Sequence, residues 1–157
     1  MSKSFDDLLS KVSECSVKKV AVAVAQDSAV LEAVQAAKER NIAEAILVGD
    51  ADKIKEVAAS INMSLDGFEI IDEKDNYTAA LKAVELVHTG KADMYMKGLI
   101  DTKSFLKSVL DKEVGLRTGQ TLSHVCVFEV EGIDHLLFLS DVAFLTYPSL
   151  EEKVHII

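Results

Sequence analysis

The feature that most constrains the fold is an apolar run that recurs about every 25 residues in the first two thirds of the chain. The runs start near residues 18, 44, 68 and 93 and are short and rich in apolar or β-branched side chains. Between the runs, apolar residues follow one another at helical spacing. This period fits one strand, one helix and two short loops, so the pattern predicts parallel strands joined by helices.

The first run, Lys18–Ala25, predicts a strand buried on both faces, as a parallel sheet requires. Asp27 or Ser28 follows it as a helix N-cap, and Asp50 follows the second run in the same way. Gly90 stands where a left-handed helix end is expected. Together these signals predict a three-layer α/β/α sandwich with a mostly parallel sheet.

The last third of the chain has a different pattern. Residues Lys103–Leu110 predict a short amphipathic helix. Two β-rich runs, Thr121–Val130 and His135–Leu139, are separated by four residues that include a glycine. This spacing predicts an antiparallel hairpin near the C-terminal end, which we expect to be attached to the parallel sheet.

The length of 157 residues fits a single α/β domain over residues 1–157. Ser149 and Glu152 form a capping-box pattern that predicts the start of a helix. The sequence ends about two turns later at Ile157, and an isolated helix of that length is marginal. We therefore expect the chain to be the N-terminal portion of a longer protein with two subdomains.

Composition narrows the function classes. Seventeen Lys and Arg residues against 26 Asp and Glu give a net charge of −9, which argues against a nucleic-acid partner. No apolar run approaches the roughly 18 residues of a membrane span. The first residues are polar and acidic and do not form a secretory signal, so we expect a cytoplasmic protein. Cys15 and Cys126 lie far apart and predict free thiols and no metal site.

Common catalytic motifs are missing from the sequence. The glycine patterns of dinucleotide-binding and P-loop proteins, the zinc signatures and the nucleophile elbow do not occur. A phosphoacceptor receiver domain would carry a pair of acids after the first strand, but Gln26 and Asp27 stand there. The receiver interpretation is therefore a distant alternative.

The strongest candidate site follows the fourth run. Lys97-Gly98 ends this predicted strand, and Asp101-Thr102 opens the next helix. Ligands of open parallel sheets bind outside the carboxyl ends of the strands, and a helix N-terminus favours anions. Residues 97–117 contain five basic and three acidic side chains, a balance of +2 in an acidic chain. Lys97 could also be a solvated strand end, and Thr102 a helix cap.

Arg117 is the best single candidate for an anion ligand. It is one of two arginines in the chain, and its guanidinium fork fits phosphate. Gly115 and Gly119 flank it and could let the backbone approach a ligand closely.

Ser123 and His124 start the next β-rich run. Because successive strand residues alternate between faces, the two side chains cannot both face one site without a bulge. His124 could be a ligand contact or a hydrogen-bonded structural residue. Asp141 closes the last predicted strand and could bind a ligand or cap the strand. His88, His135 and His155 are interpreted as structural.

A set of motifs in fixed order resembles the phosphate butyryltransferase and phosphate acetyltransferase family, and the butyryltransferases more closely. The segments that carry the resemblance are Lys97-Gly98, Thr102, Gly115–Gly119, Leu122–Val125, Leu139–Asp141, Tyr147-Pro148 and Leu150–Lys153. The resemblance implies reversible transfer of a short acyl group between coenzyme A and inorganic phosphate. It also implies two α/β subdomains with the active site in the cleft between them, a homodimer, and no cofactor or metal beyond the coenzyme A thioester substrate.

By the same resemblance, six residues would line one half of the cleft: Lys97, Gly98, Thr102, Arg117, Ser123 and His124. Lys97 and Arg117 would neutralise phosphate, and Thr102 and Ser123 would donate hydrogen bonds. Family members are about twice as long, and the Ser, Arg and Asp usually assigned to catalysis belong to their C-terminal half. The catalytic residues are therefore unknown in this chain, and we expect it to have little or no activity alone.

A second hypothesis is open at this point. The chain could be a free-standing α/β module that binds phosphate or coenzyme A without turnover. A stop codon directly after the codon for Ile157 would favour the module, and an open reading frame would favour the longer enzyme.

Overall fold

The structure is a computed structural model in which residues 3–141, 145 and 147–157 are described. Its contacts divide the chain into two compact units. The core unit comprises Ser16–Arg117, and the second unit comprises the residues up to Cys15 and from Thr118 onward. The single domain over residues 1–157 stays a prediction.

Strands and helices alternate through the core unit, as the 25-residue period predicts. Their order is β1 (Lys18–Ala23), α2 (Ser28–Glu39), β2 (Ala43–Gly49), α3 (Ala51–Ser60), β3 (Glu69–Asp72), α4 (Asn76–His88), β4 (Met94–Lys97) and α5 (Thr102–Val109), preceded in the second unit by α1 (Phe5–Val12). Every predicted strand and helix of this region is present, with bounds shifted by one or two residues.

The four strands form one parallel sheet in the order β3-β2-β1-β4. The central strand β1 pairs with β2 on one side and with β4 on the other. Successive residues of β1 are fully buried on opposite faces: Ala21 and Ala23 pack against α4, and Val22 packs against α2 and α3. Helices therefore cover both faces, and the predicted three-layer α/β/α sandwich with a mostly parallel sheet is confirmed.

Aspartates begin the helices that follow the strands. Asp27, Asp50, Asp75 and Asp101 are the N-caps of α2, α3, α4 and α5, and each carboxylate accepts a hydrogen bond from an amide in the first turn. Because a side chain that accepts these bonds satisfies donors that the helix cannot, the caps fix where each helix starts. Asp27 thus serves as a helix cap, so the receiver interpretation lacks the pair of acids that it requires after the first strand.

Acid should weaken these caps. The pKa values of Asp50, Asp75 and Asp101 lie below the ordinary aspartate value because the carboxylates accept hydrogen bonds from the helix starts, at Asp101 first from Ser104. In the unfolded chain these aspartates have pKa values of about 3.9, so the unfolded chain binds protons at a higher pH than the folded chain does. The stabilisation from the caps is therefore complete above the unfolded pKa and is lost as the pH falls through the folded pKa values.

We therefore expect the free energy of unfolding, measured with urea, to decrease as the pH is lowered from about 5 to about 3. A triple variant with asparagine at these three caps should lose less over the same interval, because asparagine caps comparably but does not titrate. An equal loss in the variant and the parent would contradict this assignment.

The second unit contains α1, a hairpin of β5 (Val125–Phe128) and β6 (Leu137–Ser140), and α6 (Leu150–Ile156). The antiparallel pairing of β5 and β6 confirms the predicted hairpin. Its strands form a separate two-stranded sheet among the described residues, so the expected attachment to the parallel sheet is wrong. The strands are also shorter than predicted, because the ladder pairs only Val125–Phe128 with Leu137–Ser140.

Both ends of the second unit are helical. The capping box of α6 is formed as predicted: the Ser149 hydroxyl accepts from the Glu152 amide, and the Glu152 carboxylate accepts from the Ser149 amide. Helix α1 was missed by the sequence reading. Its signal was Ser4, which caps the helix by accepting from the Asp7 amide.

Candidate functional site

The topology of the sheet selects one edge for a ligand. The chain runs from β1 outward through β2 to β3 and then crosses back to place β4 on the other side of β1. The strand order therefore reverses between β1 and β4, and in open α/β sheets ligands bind outside the carboxyl ends of the strands at such a point. We call this place the switch-point edge and define it by Gln26, Lys97 and Gly98, which follow or end these two strands.

Lys97 is the cation of the switch-point edge. It is the last residue of β4 and pairs with Ala23, the last residue of β1. Its side chain is exposed, and it forms no ion pair with any residue in the described part of the chain. The strand pairing fixes its backbone, so an unneutralised ammonium group stands at the place where the topology predicts a ligand.

Gly98 has a steric reason to be glycine. Its amide donates to the Ala23 carbonyl, and a Cβ atom at this position would collide with the carbonyl oxygens of Ala23 and Val24. The missing side chain therefore lets β4 close against the end of β1. This requirement holds without any ligand, and a direct role of Gly98 in binding stays a prediction.

The end of β1 is strained beside this glycine. Val24 is fully buried and has a φ of 58°. A β-branched residue is rare in the left-handed region, and such strain persists only where surrounding contacts enforce it. Here the Leu99 amide donates to the Val24 carbonyl at 2.8 Å, which ties the strained residue to the segment after Lys97.

The start of α5 is already occupied by an anion. Asp101, not Thr102, is the N-cap, and its Oδ1 accepts from the Ser104 amide at 2.9 Å. Hydrogen bonds from Ser104 hold the pKa of Asp101 below its ordinary value, so the cap is negatively charged near neutral pH. Thr102 is the first helical residue and is exposed. Because the Asp101 carboxylate competes with phosphate for this helix end, the positive charge of the edge must come from side chains such as Lys97.

Gln26 is a site residue that the sequence reading did not select. It follows β1, and its Oε1 atom is buried without a hydrogen-bond partner in the described structure. Gln26 lines a cavity of about 430 Å³ at the carboxyl edge of the sheet, together with Lys53, Asn76 and Leu99. A buried acceptor without a partner is costly, so a ligand that donates a hydrogen bond would be stabilised here. The signal in the sequence was its position directly after a buried strand.

Arg117 lies at the other end of α5. The Leu116 amide donates to the Val109 carbonyl at 2.8 Å, so the segment before Arg117 is held at the C-terminus of this helix. The eight residues of α5 span about 12 Å between this point and Thr102. The arginine is exposed and makes no hydrogen bond or ion pair with any residue that the structure describes. Lys97, Gly98 and Thr102 are thus neighbours along one edge, and Arg117 follows a segment held about one helix length away from them.

The glycines around Arg117 have structural reasons to be glycine that do not depend on a ligand, and a role in ligand binding stays a prediction. Gly115 is buried, and a Cβ there would collide with the backbone of Val109 and Asp111, so it packs against the end of α5. Gly119 has a φ of 77° and open space around it, so its backbone conformation requires glycine. Close approach to a ligand is not needed to explain either residue.

Ser123 and His124 belong to the second unit and precede β5. The prediction that they alternate along a strand is wrong, because pairing starts only at Val125. Ser123 is exposed, and His124 is half-buried with its ring nitrogens 3.6 and 3.7 Å from the Cys126 Sγ. The His124 carbonyl accepts from the amide of Asp141. Asp141 follows β6 as predicted and has one buried carboxylate oxygen without a partner among the described residues.

The part of the chain that the structure describes has no metal-binding cluster and no membrane-spanning helix. No group of three or more His, Cys, Asp or Glu side chains there is arranged to hold a metal ion. Within the same residues, no helix is both long and apolar enough to cross a lipid bilayer.

Comparison with known proteins supports the family resemblance that the ordered motifs indicate. The sequence matches a family described as phosphate acetyl/butaryl transferase over residues 4–80 and 76–157. It is 62% identical to the phosphate butyryltransferase of Clostridium acetobutylicum over all of its 157 residues, which are 52% of that protein. It is 38% identical to the phosphate acetyltransferase of Thermotoga maritima over 89% of the chain and 47% of that protein. The chain thus spans about half the length of these relatives.

A solved structure shares the fold. The branched-chain phosphotransacylase from Enterococcus faecalis V583 superimposes with a TM-score of 0.70 at 26% identity, over 89% of this chain and 48% of that one. The family match extends over both units and includes the switch-point edge, the segment of Arg117 and the hairpin. The chain therefore belongs to the phosphate acetyl/butyryl transferase family.

Proposed function

We propose that the protein containing this chain is a phosphate acyltransferase, with phosphate butyryltransferase as its specific activity. The observation that carries the proposal is the 62% identity to a phosphate butyryltransferase over the whole chain, against 38% to a phosphate acetyltransferase. The substrates would be a short acyl-coenzyme A and inorganic phosphate. The protein would act in the cytoplasm as a homodimer, without a nucleic-acid partner and without a cofactor or metal.

In this reaction, a phosphate oxygen attacks the thioester carbonyl carbon. A C–O bond to phosphate forms and the C–S bond breaks. The coenzyme A sulfur leaves with the electron pair as a thiolate, which takes up the proton given up by phosphate. The step brings a phosphate dianion against a carbonyl that gains negative charge. Preorganised cations and hydrogen-bond donors at that place lower the barrier because they need not reorganise as charge develops.

The switch-point edge supplies part of this environment. The exposed ammonium of Lys97, held by the end of β4, would bind phosphate, and Gly98 would let the backbone close beneath it. Thr102 would donate its hydroxyl. Arg117 lies about one helix length away, so it would neutralise an anionic part of coenzyme A, whose extended shape can span the length of α5. The roles of Ser123 and His124 as substrate contacts stay predictions. The group that transfers a proton to the leaving sulfur would be supplied from outside these residues.

The test is a coupled assay of acyl-coenzyme A consumption by phosphate, run on the complete gene product and on the 157-residue chain alone. We expect phosphate-dependent release of free thiol by the complete product, fastest with butyryl-coenzyme A, and little release by the chain alone. If the complete product released no thiol with any short-chain acyl-coenzyme A, the proposal would be refuted. Faster turnover of acetyl-coenzyme A would refute the butyryl preference only.

A further inference from the structure

The ring of His88 holds the backbone that leads to Arg117. His88 is the last residue of α4, and its Nδ1 lies 2.9 Å from the Gly115 carbonyl oxygen in a partly buried contact. A carbonyl can only accept, so Nδ1 carries the hydrogen in this bond. This contact joins the end of one helix to a loop 27 residues further along the chain.

The rest of that loop is fixed as well. The Asp111 carboxylate accepts from the Glu113 and Val114 amides at 2.9 and 3.1 Å, and these bonds keep its pKa below the ordinary value. The next residue, Gly115, is the acceptor for His88. The Leu116 amide then donates to the Val109 carbonyl at 2.8 Å. Hydrogen bonds therefore hold the backbone at consecutive positions up to the residue before Arg117.

The side chain that follows is not held. Arg117 is exposed and has no hydrogen bond or ion pair within the part of the chain that the structure describes. Because the backbone is already fixed, binding of an anion by the guanidinium would cost less conformational entropy than binding by an arginine on a mobile loop.

We propose that His88 is a positioning residue for Arg117: it holds the Gly115 carbonyl and thereby sets where the guanidinium meets the anionic substrate. This inference rests on the proposed function, since it takes Arg117 as a substrate ligand. His88 itself touches no substrate.

The test compares three variants of the complete gene product. His88→Ala should raise the KM for butyryl-coenzyme A by about tenfold, because the guanidinium is displaced, and change kcat at saturating substrates less than about twofold. His88→Asn should restore most of the parent KM, since its amide can donate to the same carbonyl. His135→Ala is the control, because this exposed ring contacts the neighbouring Asp134.

A merely structural histidine would give a different pattern. Its loss would reduce the amount of active enzyme and so lower kcat with KM unchanged, and that result would overturn the proposal. Failure of His88→Asn to restore KM would overturn it too. If Arg117→Ala leaves KM unchanged as well, the role of Arg117 fails, whereas an effect of Arg117→Ala without one of His88→Ala refutes only the positioning role.

Hydrogen exchange provides a readout that does not require activity. In the complete gene product, His88→Ala should speed exchange of the Leu116 amide at least about tenfold, while the Leu110 amide, bonded to the Leu106 carbonyl at the end of α5, keeps its rate. Unchanged exchange at Leu116 would show that the ring does not hold the loop. Equal acceleration at both amides would mean general destabilisation and would likewise overturn the proposal.

Discussion

Replacing Arg117 with alanine in the complete gene product is expected to raise the KM for butyryl-coenzyme A by about 100-fold. The variant loses a charged hydrogen-bonding partner of an anion, which corresponds to about 2.7 kcal/mol. The folded structure should be unaffected, because the side chain is exposed and makes no ion pair with the described residues. Steady-state kinetics with butyryl-coenzyme A varied at saturating phosphate measure the effect.

Two further variants make the result specific. Arg117→Lys keeps the charge but loses the bidentate fork, so its KM should lie between those of the parent and Arg117→Ala. The other arginine of the chain, Arg40, ends α2 and serves as the matched control, since Arg40→Ala should leave KM unchanged. An unchanged KM in Arg117→Ala would show that this arginine is part of the scaffold.

Gly98→Ala is expected to destabilise the chain by about 3 kcal/mol. The new methyl group would meet the carbonyl oxygens of Ala23 and Val24, which belong to the backbone of a fully buried strand and cannot move aside. The strands β1 and β4 would have to separate at the switch-point edge. Urea unfolding followed by circular dichroism measures the difference.

Gly90 provides the control for this substitution. It has a φ of 73° and nothing near the position of a Cβ atom, so Gly90→Asn introduces a side chain that tolerates the left-handed backbone without a clash. Its stability should stay within about 1 kcal/mol of the parent. If Gly98→Ala is as stable as Gly90→Asn, the two strands are not packed as the structure shows.

The parallel layers were predictable because their signals are local. A strand buried on both faces, as Ala21 to Ala23 are, is a continuous apolar run, and an aspartate shortly after it caps the next helix. The separate hairpin sheet was not predictable in the same way. Propensity indicates that β5 and β6 pair with each other, but whether a third strand joins them depends on long-range contacts that leave no local pattern.

The candidate site shows the same limit. Lys97 could be placed at the sheet edge because a strand end is a local feature, and Asp101 could have been identified as the cap from its residue type. The buried Oε1 of Gln26 and the strain at Val24 arise where two strands meet, which the sequence does not record. Nor could spacing reveal that Arg117 is held at the far end of α5, since this depends on the bond from His88.

Chemical footprinting of Lys97 tests the central claim most directly. In the complete gene product, an amine-reactive acylating reagent should modify this exposed lysine several times more slowly at saturating inorganic phosphate than without it. Lys91 is the internal reference, since it is exposed just before β4, at the opposite end of the same strand, and should react at the same rate in both conditions. Equal modification of Lys97 with and without phosphate would contradict an anion site at the switch-point edge.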